Sequence, residues 1–100
     1  MSGANAIRGE AELMIAGERL LLRPTFSALV AAEAELGPLF ALCERAAAGQ
    51  LTLAELVALF WHCLAEPRER APFADALVAG GLMNAAPVLR VLLGQILAGR

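Results

Sequence analysis

Residues 7 to 37, IRGEAELMIAGERLLLRPTFSALVAAEAELG, constrain the fold most, because they read as a short β-hairpin running straight into an amphipathic helix. From Glu10 to Ile15 the chain alternates. Ala11, Leu13 and Ile15 fall on one face and Glu10, Glu12 and Met14 on the other, the period of a half-buried strand. Gly17 marks a tight turn. In the return strand, Arg19 to Arg23, Leu20 and Leu22 lie opposite Arg19, Leu21 and Arg23. Pro24 ends that strand, since it has no N–H to give a ladder. Two strands alone are marginal in water, so their apolar face must lean on helices. The expectation is an α+β fold: an N-terminal hairpin followed by four to five short helices in one compact, mainly helical domain.

The helices follow from their punctuation. Thr25 can cap a helix from Phe26 to Leu36 with a stripe of Phe26, Leu29, Val30, Glu33 and Leu36. Gly37 and Pro38 stop it and restart the chain. A second helix, Leu39 to Ala48, should bury Leu39, Leu42, Cys43 and Ala46 and end at Gly49. The third has the clearest start, because Thr52 and Glu55 have capping-box spacing and Leu51 and Leu56 sit where a hydrophobic staple would. Its core stripe reads Leu53, Leu56, Val57, Phe60 and Leu64, ending near Glu66 before Pro67. Residues 67 to 72, PRERAP, read as a charged linker, and a fourth helix runs from Phe73 to Ala79. After Gly80 and Gly81, Asn84 can cap a last helix to about Ala98, with Pro87 in its first turn. Residues 1 to 6 offer nothing to pack and read as a flexible lead-in to a single domain over 7–100.

Composition removes several function classes. The formal net charge of −2, with arginines scattered and no lysine, provides no field for a phosphate backbone, so no nucleic-acid partner is expected. Glu55 and His62 break the Leu51 to Leu64 run, and Arg90 and Gln95 break the last one, so no membrane partner is expected. No hydrophobic signal core is read in the opening residues, and a cytoplasmic location is the expectation. Cys43 and Cys63 lack CxxC spacing and read as reduced, buried small hydrophobes. His62 and Cys63 are about 100° apart around a helix, so they diverge and form no nucleophile–base pair. The carboxylate pairs Glu33–Glu35 and Glu10–Glu12 read as solvated faces. There is no phosphate loop, dinucleotide fingerprint, zinc-protease run or nucleophile elbow, and the glycines sit where helices and turns must end. Neither catalytic residues, nor a cofactor, nor a metal site are expected.

What remains is surplus grease. Hydrophobic residues make up 59% of the chain, above the roughly 45–50% of an average globular protein. Val88, Leu89, Val91, Leu92, Leu93, Ile96 and Leu97 spread around most of the last helix, so either that helix is central or a second molecule covers it. In the third helix Leu59, Trp61 and Cys63 fall off the core stripe. Trp is enriched at binding hot spots, which makes Trp61 a contact candidate beside its reading as a core residue. The candidate protein-binding residues are Leu59, Trp61, Val91 and Leu93.

The segment RGEAELMIAGERLLLRPTFSALVAAEAELG, closing with Leu36-Gly37, resembles the opening of a family of small proteins from tailed phages and gene transfer agents. RAAAGQLTLAELVALFWHCL is similar to that family's next stretch, and GGLMNAAPVLRVLLGQILAG to its C-terminal helix. These are the gene-transfer-agent-like tail assembly chaperones, also grouped under a phage tail tube label. The resemblance covers nearly the whole chain from Ile7. It implies a non-enzymatic tail assembly chaperone whose partners are the tape-measure protein and the tail tube protein, with homo-oligomerisation open. PRERAP is more proline-rich than the family pattern. The alternative is a structural tail component that assembles through its hairpin edge, since an unpaired edge strand can be extended by another chain.

Overall fold

A computed structural model describes residues 10–98. The expected flexible stretch, residues 1 to 6, lies outside the described residues. The fold is α+β: strands β1 (Ala11–Ile15) and β2 (Glu18–Leu22) precede helices α1 (Phe26–Leu36), α2 (Leu39–Ala47), α3 (Leu53–Cys63), α4 (Arg70–Ala79) and α5 (Leu82–Ala98).

The strands pair antiparallel with Ala11 opposite Leu22 and Ile15 opposite Glu18. Only Ala16 and Gly17 remain for the turn, and both have positive φ, 51° and 78°. That is the geometry whose twist matches a right-handed hairpin. As the alternation requires, Ala11, Leu13, Ile15, Leu20 and Leu22 are all buried. Glu10 departs from its expected solvated face. It is 3% exposed and its carboxylate accepts from Arg23 Nε at 2.7 Å, one step beyond the Ala11–Leu22 pair.

The third helix stops at Cys63 instead of near Glu66. Leu64 leaves the helix to form a bridge with Leu22. Arg23 N–H donates to the Cys63 carbonyl at 2.6 Å and Ala65 N–H to the Leu21 carbonyl at 2.9 Å. The outer edge of β2 is thus satisfied by residues 63 to 65, and this pairing ends the helix before Pro67 can.

Helix α3 is the core element, burying Val57, Ala58, Leu59, Phe60 and Cys63. The capping box at Thr52 and Glu55 is present, which fixes the start of the helix. Leu53, expected in the core stripe, is 45% exposed, because the buried face is centred further along. Helix α1 packs against α3 through Ala32, with Ala28, Leu29 and Leu36 half-buried beside it. Phe26 and Val30 are instead 85% and 47% exposed. Size alone suggested those larger side chains for the core, but small residues let two helix backbones approach closely.

Helix α2 buries Leu42 and Cys43, as its pattern requires. Helix α4 begins at Arg70, three residues earlier than expected, so half of the supposed linker is helical. Pro72 is tolerated because a first turn needs no N–H from it. Helix α5 begins at Leu82, which leaves Asn84 inside the first turn, its Nδ2 donating back to the Gly80 carbonyl at 2.6 Å. Pro87 consequently lies within the helix and not in its first turn. Helix α5 is not central: it buries only Ala85 and Leu92 and packs on β1 and α4.

Candidate protein-binding surface

The expected contact residues do not share a surface. Leu59 is fully buried in the core and offers nothing to a partner, because α3 is covered on more sides than a stripe reading allows. Val91 is 50% exposed, whereas Leu93 is half-buried against the core. Two positions along a helix turn a side chain by roughly 200°, so these two face different ways.

Trp61 is half-buried and held from several directions. Its Nε1 donates to the Arg68 carbonyl at 2.7 Å. The Arg70 guanidinium lies 4.3 Å from the ring centroid, and the His62 ring meets it edge-on at 5.0 Å. Arg70 also donates through both terminal nitrogens to Glu35, at 2.7 and 2.8 Å. His62 Nε2 lies 2.8 Å from the same carboxylate. Glu35 therefore joins α1, α3 and α4. The Arg70 hydrogen bonds, then the His62 one, hold its pKa down to about 2. Sequence reasoning treated Glu35 as solvated and Arg70 as linker. The visible signal was an arginine just before an apolar helix.

Neither thiol is poised for chemistry. Burial pushes Cys63 up to about 12 and raises Cys43 as well, so the thiolate form is suppressed in both. Among the described residues no group of three or more His, Cys, Asp or Glu could hold a metal ion. No single described helix is long and apolar enough to cross a membrane.

Two apolar grooves open between helices among the described residues. One, of about 400 Å³, lies between α1, α2 and α5 and is lined by Phe26, Leu29, Val30, Leu39, Phe40 and Leu97 among others. Phe26 and Phe40 project from it, 85% and 80% exposed. The other, of about 730 Å³ and wide open, lies between α3 and α4 along Leu53, Ala54, Val57, Ala74 and Val78, with Glu35, Arg70 and Asp75 among its charged neighbours. Phe40 is an aromatic residue off the buried stripe of its helix, the same signal that singled out Trp61.

The class that the fold and the surface define among the described residues is a small α+β domain with open apolar grooves between its helices. The sequence comparison narrows that class: residues 8–99 match the family described as "Phage tail tube protein, GTA-gp10". The chain belongs to this family and is thereby a phage or gene-transfer-agent tail protein. No curated protein and no solved structure matches it.

Proposed function

We propose that the chain is a non-enzymatic structural component of the tail, joined to its neighbours by protein–protein contacts. The observation supporting this is the family description, which names the tail tube itself. If assembly uses the hairpin, the outer side of β2 is already taken at Leu21 and Arg23 by residues 63 to 65, and a Glu10 carbonyl next to β1 by Gln95. Quantitative mass spectrometry of purified particles is the test. A structural component is retained in a fixed ratio to the other tail proteins, and its absence from finished particles would overturn this reading.

A second reading, the tail assembly chaperone, is supported by the open groove between α3 and α4. Such a groove suits the apolar face of an amphipathic helix. A long, helix-prone tape-measure protein would supply that helix in the bacterial cytoplasm, and the tail tube protein would be the second partner. Co-expression should raise the soluble yield of the tape-measure protein. Leu53→Glu or Val78→Glu, both at exposed positions, should remove that gain. No gain with the native chain would sink the chaperone reading.

A further inference from the structure

We propose that residues 64–66 are a releasable strap: they close the outer edge of β2 in this structure and, on release, wind onto the end of α3 and open that edge to a strand of a neighbouring tail subunit. The identity of the entering strand rests on the structural-component reading above, whereas the release belongs to the single chain.

At the strap, local preference and tertiary pairing disagree. Leu64, Ala65 and Glu66 are all good helix formers. Leu64 stands four positions after Phe60, which is fully buried, so a further turn of α3 keeps Leu64 on the same face. No glycine or asparagine stands at 64–66 to end a helix, and Pro67 restricts only Glu66. Yet α3 stops at Cys63, and Leu64 is extended, with φ −57° and ψ 128°. Two main-chain hydrogen bonds hold it so, Arg23 N–H to the Cys63 carbonyl at 2.6 Å and Ala65 N–H to the Leu21 carbonyl at 2.9 Å. The Arg68–Glu18 ion pair beside them, at 2.9 Å, lies at the surface and adds little. Conflicts of this kind concentrate at functional elements.

Packing does not oppose release. A cavity of about 340 Å³ lies between the strand and the strap, lined by Leu21 and Arg23 on one side and by Leu64, Ala65 and Glu66 on the other. Hydrogen bonding opposes it only in part. Once Ala65 is helical, its N–H finds the Trp61 carbonyl four positions back in place of that of Leu21. The Arg23 N–H and the Leu21 carbonyl are then uncovered together, a donor and an acceptor two positions apart on one edge. That spacing is what an incoming antiparallel strand meets.

Amide hydrogen exchange of the full chain, followed residue by residue by NMR, tests the release. Pro67→Ala removes the bar to helix at Glu66 and should speed exchange at the Arg23 N–H at least about tenfold. The Ala65 N–H should stay protected in that variant, because it keeps a helical acceptor. Ala65→Thr favours extended backbone and should slow Arg23 exchange by about the same factor. Leu13 and Leu20 pair across the hairpin, and unchanged exchange at both shows that the fold is intact. Equal Arg23 rates in all three chains would overturn the strap. So would loss of protection at Arg23 and Ala65 together, which is fraying without helix gain. Retention in purified particles tests the opened edge: Ala65→Thr should be retained several-fold less than the native chain, and equal retention would overturn that role. A native chain absent from particles removes the structural reading and the entering strand with it, while the exchange rates decide the strap by themselves.

Discussion

Glu10 and Arg23 face each other across the open end of the hairpin as an ion pair in which the carboxylate is shut away from water and the guanidinium is not. Their side chains are 2% and 39% exposed. Removing either partner should therefore have unequal effects. Arg23→Ala strands a buried carboxylate and should destabilise the fold by about 3–5 kcal/mol. Glu10→Gln leaves an arginine that can still reach solvent, so it should cost clearly less. Urea denaturation of both variants measures the difference, and equal losses would contradict the asymmetry.

Acid should loosen the junctions between helices. Glu35 is held at about 2 first by Arg70 and then by His62. Glu55 is held at about 2 first by Arg45 and then by the Thr52 backbone N–H. Each folded-state value lies below the ordinary 4.5, so the contribution of these groups is fully present above about pH 4.5. It is lost as pH falls through about 2, because protons bind the unfolded chain more readily in that window. Melting temperature against pH should fall across it, and Glu35→Gln with Glu55→Gln should flatten the slope.

The turn leaves stability unused. Ala16 holds φ at 51°, a conformation that side chains with a Cβ adopt reluctantly, whereas Asn tolerates it well. Ala16→Asn should raise stability by about 0.5–1 kcal/mol, or several degrees in a domain this size. Gly17→Ala, at φ 78° with open space around the missing Cβ, should lower it by about 1–2 kcal/mol through backbone strain alone. Thermal melts of the two variants in opposite directions would establish that the turn sets the register.

Burial separates two leucine-rich positions that look alike in sequence. Leu59→Ala opens a cavity in the core and should cost about 2–5 kcal/mol. Val91→Ala, at a site 50% exposed, should change stability by less than about 0.5 kcal/mol. Chemical denaturation that found both variants equally damaging would mean Val91 is covered.

The legible parts were those with local causes. Alternation placed Leu13 and Leu22 inward, and Thr52 with Glu55 announced the start of α3. The illegible parts depended on long-range partners. Nothing near Cys63 signals that Leu64 will bridge to Leu22, so the helix end was misplaced. Glu10 looked solvated because Arg23, its partner, is brought alongside only by the hairpin register. In α1 the size of Phe26 and Val30 suggested a core face, but contact with α3 is made through Ala32 and its small neighbours. Among the expected contact residues, Leu59 is buried for the same reason. Leu59 and Phe40 are both large and apolar, and only the packing of α3 at the centre decides which one is left outside.

The placement of α5 has a consequence for how the chain is made. It packs on β1, and Gln95 Nε2 donates to the Glu10 carbonyl at 2.6 Å across 85 positions of sequence. The hairpin emerges from the ribosome long before the helix that shelters it, and two strands do not hold in water unaided. During synthesis the contact that α5 makes with β1 can therefore form only after the last helix has been made.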